Sequence, residues 1–152
     1  MYHDPIVPPE FQVPTSKETS RCLFRPLTIR DVTRDFDAVM SSAGFLKEHF
    51  NPSSSWPEGL TVEQNLIDLG WHEYEFQNRT SFTYTITNLA DKLTLGCCYI
   101  YPSKLENHDV SISHLVRDSE RNTGLAEHVA ETLKTWITDD WPFESPLYIE
   151  TL

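Results

Sequence analysis

Two neighbouring runs in the middle of the chain constrain the fold more than any other feature. Residues Ser81–Thr87 alternate between threonines and large apolar side chains, which is the period of a β-strand. After a turn-like segment at Asn88–Asp91, Leu93–Tyr101 is apolar almost throughout and is broken by Gly96. A strand of the second kind is covered on both faces. We therefore expect a central β-hairpin in a well-covered sheet.

The remaining elements are predicted from their end signals and from their hydrophobic periodicity. They are a strand at Cys22–Arg30, a helix capped by Asp31 or Thr33 and running to about His49, a helix opening at Thr61 with a capping box at Gln64, a strand at Val110–Val116, a helix opened by Gly124 and stopped at Trp141–Pro142, and a short strand at Pro146–Ile149. The apolar faces are expected at Phe36, Val39, Met40 and Ala43 in the first helix and at Val62, Leu66, Leu69 and Phe76 in the second. This order predicts an α+β fold that ends in a strand–helix–strand unit.

Length and composition favour one folded domain. The 152 residues suffice for a single domain, which we place at residues 20–152, after an extended, proline-studded N-terminal arm at residues 1–19. The net charge of −11 argues against a nucleic-acid partner and is compatible with a cationic one. No apolar run approaches a membrane span, and Cys22, Cys97 and Cys98 suit neither a disulfide framework nor a metal site. We expect a cytoplasmic protein without a membrane partner.

The clearest chemical signal lies between Val110 and Ile137, where an apolar strand, a polar loop and an amphipathic helix follow one another. Unpaired N–H groups at the start of a helix attract anions, and the helix dipole adds to this effect. In the loop Arg121–Ala126, Gly124 lets a phosphate approach the backbone and Arg121 adds a charged contact. The loop predicts a pyrophosphate site. Its single glycine excludes a dinucleotide-binding loop, and no Gly-Lys-Ser/Thr follows as in a Walker loop.

The same loop resembles the acetyl-coenzyme A signature of the GCN5-related N-acetyltransferase superfamily. That signature is Gln or Arg, two residues, Gly, one residue, then Gly or Ala, and Arg121–Ala126 fits it. The position of the loop between a strand and a helix is similar to the family, as is Leu95–Gly96 in the preceding strand. The likeness spans Phe24–Leu152. It implies a mixed, mostly antiparallel central sheet with helices on both faces, and acetyl-coenzyme A as co-substrate.

The resemblance also implies roles for individual residues. The loop binds the pyrophosphate, and the strand ending at Val116 splays from the final strand at Leu147–Ile149 so that its free backbone groups pair with the pantetheine arm. The backbone N–H of Val116 lies near the thioester carbonyl and stabilises the oxyanion. The implied cofactor-binding residues are Leu115, Val116, Arg117, Arg121, Asn122, Thr123, Gly124, Leu125 and Ala126.

The group that takes the proton from the amine is left open. An amine with a pKa near 10.4 must be deprotonated before it attacks, and the glutamate that many family members carry on the strand is replaced here by Ser111, which can only position a water. His114 has suitable chemistry, but it alternates with apolar residues, so a packed and hydrogen-bonded core histidine is the favoured alternative. Trp71 and Glu75 are candidate acceptor contacts, against the alternative of a core aromatic and a solvated acid.

The predicted function is therefore transfer of an acetyl group from acetyl-coenzyme A to a primary amine of a small molecule, peptide or protein, by direct attack. The alternative is a non-catalytic acyl-coenzyme A-binding or protein-interaction module with the same fold. Two features keep it open: Ser111 replaces the strand carboxylate, and the tyrosine acid that relatives carry beyond the final strand has no counterpart. A third hypothesis is an unrelated α+β domain whose glycine loop only turns the chain. A homodimer is left open.

Overall fold

The computed structural model describes residues 4–43 and 56–149. Its strands are β1 (Lys17–Glu18), β2 (Leu23–Pro26), β3 (Phe82–Thr87), β4 (Thr94–Pro102), β5 (Val110–Val116) and β6 (Leu147–Tyr148). Its α-helices are α1 (Val32–Ser41), α2 (Val62–Gln77) and α3 (Leu125–Asp140), with short 3-10 turns at Ile29–Asp31 and Asp118–Glu120. The α+β class predicted from the sequence is confirmed.

The six strands form one sheet in chain order, from β1 to β6. All neighbours are antiparallel except β5 and β6, which are parallel and are joined through α3. The predicted mostly antiparallel sheet and the C-terminal strand–helix–strand unit are therefore both present. Within the described residues, no helix is long and apolar enough to cross a membrane.

Helices cover both faces of the sheet. On one face, α3 buries Val129, Leu133 and Trp136 against the even-numbered residues of β3, which include Tyr84. On the other face, α1 and α2 pack over β3 and β4. The N-terminal arm joins the α3 side of the core through Val7, which is 5% exposed. Every residue of β3 is buried, because the threonines that alternate with its apolar residues lie beneath the α1–α2 layer.

Two local predictions differ from the structure, and a third falls largely outside the described residues. The first strand ends at Pro26, because Thr28 and Asp31 form a capping box that starts the 3-10 turn. The α-helix then begins at Val32, and the predicted cap at Asp31 makes no side-chain hydrogen bond to it. α1 ends at Ser41, and the predicted continuation to His49 falls on residues 44–55, outside the described residues.

The side of α2 that faces the sheet also differs from the prediction. The predicted apolar face included Val62 and Leu66, yet these side chains are 40% and 42% exposed, whereas Asn65 is 3% exposed. Leu69 is buried as expected. The capping box at Thr61 and Gln64 is confirmed. The helix therefore turns a partly polar side towards the sheet, and this side faces a cavity described below.

Candidate active site

The strands β5 and β6 pair over two residues within the described part of the chain. β6 is in register with Ser111 and Ile112, and the Ile149 N–H donates to the Ile112 carbonyl at 2.9 Å. β5 continues to Val116 with β4 on its other side. Among the described residues, none pairs with the second half of β5 on the side away from β4, and we call this side the gap.

Backbone groups of β5 face this gap at alternate residues. The N–H of Arg117 donates to Leu95 of β4 at 2.7 Å, and successive N–H groups of a strand point to opposite sides. The backbone groups of His114 and Val116 therefore point away from β4 and towards the gap. The oxyanion role of the Val116 N–H remains a prediction, and this orientation is compatible with it.

The loop predicted to bind pyrophosphate leads directly into α3. Gly124 precedes the helix with φ of 82°, a left-handed conformation that glycine adopts without strain. The first helical hydrogen bond runs from His128 N–H to Gly124 carbonyl at 3.1 Å, so the three N–H groups between them lack an intrahelical acceptor. No side chain caps this end of α3 in the part of the chain that is described. The geometry suits a bound phosphate.

A basic side chain that the sequence analysis missed lies beside this loop. Arg21, on the turn between β1 and β2, donates from Nη2 to the carbonyl of Thr123 at 3.2 Å. Arg121 is paired with Asp118, with Nη1 and Oδ1 2.9 Å apart. Because an acid already balances part of the charge on Arg121, Arg21 and the backbone N–H groups would contribute more to an anion site here than the sequence suggested. The 102 positions between Arg21 and Thr123 hid this contact.

The other loop residues of the prediction have structural partners. The Thr123 hydroxyl donates to the carbonyl and to the carboxylate of Glu120, each at 2.9 Å. Leu125 is 1% exposed and anchors the start of α3 in the core. Asn122 is exposed. Thr123 and Leu125 could therefore contact a ligand through their backbone groups, whereas Asn122 could also contact it through its side chain.

A cavity of about 330 Å³ continues from this loop into the gap between the two strands. Its walls come from β5, β6 and α3, and include Ile112, His114, Tyr148, Ile149, Ala126 and Ala130. The two alanines keep the helix side of the cavity free of bulk. We call this space the cofactor cleft.

The two predicted catalytic side chains, His114 and Ser111, lie on opposite faces of the sheet. His114 faces the cofactor cleft but is 8% exposed and hydrogen-bonds the backbone of Ala126. Burial lowers the pKa of His114, and the Ala126 contact acts in the opposite direction. This environment matches the core-histidine alternative. Ser111 lies where β5 and β6 are still paired, on the opposite face from His114.

Leu115 and Arg117 also point away from the cofactor cleft. Leu115 is 7% exposed and packs with Val39 of α1, and the Arg117 guanidinium is 3.1 Å from Asp37 and 3.2 Å from the Ser41 hydroxyl. Both residues can contribute to the cleft through their backbone. Their binding roles remain predictions.

Gly96 lets β4 and β5 approach each other beside the gap. A Cβ at this position would overlap the carbonyl oxygen of Leu115 and would lie 3.0 Å from the Cα of Val116. The position therefore excludes any side chain, since the neighbouring atoms belong to the backbone of the strand that carries the predicted oxyanion contact.

A second cavity of about 380 Å³ lies on the opposite face of the sheet, between α1, α2 and the strands β4 and β5. Ser113 and Leu115 of β5 line it, whereas the intervening residue His114 lines the cofactor cleft. The two cavities thus lie on opposite faces of β5. Trp71 lines the second cavity, as the sequence analysis allowed. Glu75 instead accepts a hydrogen bond from Ser81 at 3.2 Å.

A buried carboxyl, Asp35 of α1, lines this second cavity and is 4% exposed. It accepts hydrogen bonds from Asn65 at 3.0 Å and from the Cys97 thiol at 3.5 Å. Burial raises the pKa of Asp35, and these two hydrogen bonds oppose the shift. Among the described residues, no arginine or lysine pairs with it. A buried carboxyl facing open space without a cation is an unusual structural element.

His72 of α2 lines the same cavity. Its Nδ1 is 3.1 Å from the Thr83 hydroxyl, and its ring lies 5.9 Å from that of Tyr99. Burial lowers the pKa of His72, although nearby carboxylates, Asp35 among them, act in the opposite direction. The imidazole is therefore neutral near pH 7 and can accept a proton.

Comparison with known proteins bears on the fold. No protein-family model and no curated protein sequence matches the chain. Among solved structures, the ribosomal L7/L12 alpha-N-protein acetyltransferase RimL is similar to it with a TM-score of 0.64 and 14% identity, over 83% of this chain and 64% of that one. The chain has the GCN5-related N-acetyltransferase fold.

Two further solved structures share this acetyltransferase fold. The ribosomal-protein-S5-alanine acetyltransferase from Vibrio fischeri has a TM-score of 0.65 and 12% identity, over 82% of this chain and 68% of that one. The Microcin C7 self immunity acetyltransferase MccE, solved with acetyl-CoA and AMP, has a TM-score of 0.60 and 10% identity, over 82% and 67%. Identity this low shows the acetyltransferase fold alone, and the chain spans 64% of the RimL chain.

Proposed function

We propose that this chain is an N-acetyltransferase that binds acetyl-coenzyme A in the cofactor cleft and transfers the acetyl group to a primary amine. The observation that carries the proposal is the cavity between β5, β6 and α3, which begins beside the uncapped start of α3. One end offers N–H donors to a diphosphate, and the other offers the backbone of β5 to an amide-containing arm. The structural neighbours with this fold are acetyltransferases, and two were solved with coenzyme A or acetyl-coenzyme A.

The residues of this chain divide the binding task. The N–H groups that follow Gly124, with Arg21 and Arg121 beside them, would hold the diphosphate. The backbone groups of His114 and Val116 would pair with the amides of the pantetheine arm. The alanines of α3 leave room for that arm. Bound there, acetyl-coenzyme A supplies an activated acetyl group at the gap in the sheet.

The chemistry then needs an amine without its extra proton and a polarised carbonyl. The Val116 N–H is the candidate donor to the carbonyl oxygen, since it faces the gap and a donor fixed in this way stabilises developing negative charge. RimL and the S5-alanine acetyltransferase are named for ribosomal proteins, which supports keeping peptide and protein amines among the acceptors. The cytoplasmic location stays a prediction.

Acetyl-coenzyme A binding is the first test. A ligand at 100 times its Kd stabilises the folded state by about 2.7 kcal/mol, which for a chain of this size raises the melting midpoint by about 5–11 °C. We expect such a rise with acetyl-coenzyme A, together with release of free thiol when a panel of primary amines is added. An unchanged midpoint at millimolar acetyl-coenzyme A would contradict the proposal.

The second candidate function is a non-catalytic acyl-coenzyme A-binding module. The observation that favours it is Ser111, which stands where many relatives carry a carboxylate. The same assay separates the two functions, because a binding module raises the midpoint but releases no thiol with any amine.

A further inference from the structure

The cavity on the α1–α2 face holds two titratable groups that the cofactor cleft does not use. Asp35 and His72 come from different helices, and each acts electrostatically on the other. At about 380 Å³ the cavity falls within the range of small-ligand sites, roughly 300–1,000 Å³. Its apolar walls include the aromatic side chains of Trp56, Trp71 and Tyr99.

The charge distribution favours a cation as occupant. Asp35 lies deep in the cavity, and Asp68, which is exposed, lines it nearer the surface. Arg117 also lines it, but its guanidinium is already bound to Asp37. A buried carboxylate is stable when a cation pairs with it, and the neutral donors Asn65 and Cys97 supply no positive charge. An entering ammonium group would supply it.

A further polar group in the cavity, the hydroxyl of Thr94, is available to a ligand. The Thr94 hydroxyl is 2% exposed, lines the cavity and has no hydrogen-bond partner among the described residues. Buried hydroxyls normally find one. It lies on β4, next to Leu95, whose carbonyl accepts the hydrogen bond from the Arg117 N–H at the end of β5.

We infer that this cavity is the acceptor site, that it takes a primary ammonium on a short aromatic or apolar stem, and that Asp35 binds the ammonium while His72 removes its proton. The inference rests on the proposed function, because the acetyl donor must lie in the cofactor cleft. It also accounts for Ser111: the proton acceptor is carried by α2 instead of by the strand. This role requires the Nδ1–H of His72 to donate to the Thr83 hydroxyl, 3.1 Å away, which leaves Nε2 as the base.

The step balances as follows. The ammonium gives one proton to neutral His72 and becomes an amine. The nitrogen lone pair forms a bond with the acetyl carbonyl carbon, and the bond from that carbon to sulfur breaks. The departing sulfur takes the second proton from the nitrogen and leaves as the thiol of coenzyme A. The imidazolium then returns its proton to solvent, so one proton is released for each amide formed.

The test uses the full chain with two acceptors that share the same chemistry but differ in source: phenethylamine and a pentapeptide with an N-terminal phenylalanine. Thiol release with the first supports a small-molecule acceptor, and release with the peptide alone supports a peptide N-terminus. N,N-dimethylphenethylamine keeps the cation but forms no stable amide, so we expect it to inhibit competitively. Phenethyl alcohol, which lacks the charge, should inhibit at least tenfold more weakly. Equal inhibition by the two would overturn the role of Asp35.

Variants then separate the two residues. Asp35→Asn should raise KM for the amine at least tenfold and leave the Kd for acetyl-coenzyme A within twofold, whereas the matched exposed-site variant Asp139→Asn should change neither. His72→Gln should lower kcat at least a hundredfold and abolish the acidic limb of the kcat/KM pH profile. His108→Gln is its control. Melting midpoints check that each variant folds.

The outcomes distinguish this inference from the proposed function. If acetyl-coenzyme A binds but Asp35→Asn and His72→Gln behave as the wild type, the inference is wrong and the cofactor site stands. If acetyl-coenzyme A does not bind the wild type, the proposed function fails, and the role of His72 as the base fails with it.

Discussion

Replacing Gly124 with alanine tests the diphosphate site, because the chain contains a matched control. Gly124 and Gly59 both have left-handed backbones, with φ of 82° and 77°. An alanine in this conformation costs about 1–2 kcal/mol, so each variant should melt about 2–8 °C below the wild type. The two substitutions therefore carry a similar backbone penalty, and any difference between them reflects what surrounds the new methyl group.

The surroundings differ in the one respect that matters for binding. A Cβ at residue 59 would meet nothing within 4 Å, whereas a Cβ at residue 124 would lie 3.5 Å from Nη1 of Arg21. That is an ordinary van der Waals contact, but it places a methyl group beside the guanidinium at the residue that precedes the open N–H groups of α3. We expect the affinity of Gly124→Ala for acetyl-coenzyme A to fall at least tenfold.

The magnitudes follow from linkage between binding and unfolding. At a concentration of 100 times the wild-type Kd, the ligand stabilises the wild type and Gly59→Ala by about 2.7 kcal/mol. A tenfold weaker Gly124→Ala gains only about 1.4 kcal/mol at the same concentration, which halves its shift in melting midpoint. Calorimetric titration supplies the Kd values independently. Equal ligand-induced shifts in the two alanine variants would refute the assignment of the loop.

Two further predictions concern stability. Gly96→Ala should lower the free energy of unfolding, measured in urea, by about 1–3 kcal/mol. The reason is that the new Cβ would overlap the Leu115 carbonyl, so that β4 and β5 must move apart. Wild-type stability of this variant would show that the strands tolerate a side chain there. Asp35 faces Asp31, Asp68, His72, Cys97 and Tyr99. Because burial raises the pKa of Asp35 above its ordinary 3.8, its ionisation destabilises the fold as pH rises through that raised value. The Asp35→Asn variant has no carboxyl to ionise, so it does not lose this stability. The melting midpoint of the variant minus that of the wild type should therefore increase from pH 4 to pH 8, and a constant difference would contradict the reasoning.

The strands β2 to β6 and the start of α3 could be predicted from local sequence, whereas β1 lies in the segment that was predicted as an extended arm. β5 was predicted with its observed bounds, since Val110–Val116 is a short apolar run with polar residues after it. Gly124 was recognised as the start of a helix, and it is the residue before α3. These features depend on near neighbours, which periodicity and end signals capture.

The face of α2 and the role of Asp35 could not be predicted in this way. An aspartate in a helix is usually exposed, so Asp35 was not considered for the interior. Its burial depends on Asn65 and Cys97, which are 30 and 62 positions away. The same cavity explains why Asn65 points inwards while Val62 and Leu66 are partly exposed. A polar interior contradicts amphipathic patterning, and such contradictions are expected at functional sites.

The N-terminal segment reaches the loop at the start of α3 through side chains. Thr19 and His128 are joined by a hydrogen bond of 2.8 Å, and Arg21 holds the Thr123 carbonyl. These bonds join the loop to a part of the chain more than 100 residues earlier. Release of that segment would remove Arg21 from the proposed anion site, so a ligand bound there would also hold the beginning of the chain in place. Binding of acetyl-coenzyme A and protection of the N-terminal segment from proteases would then be thermodynamically linked, and each would strengthen the other.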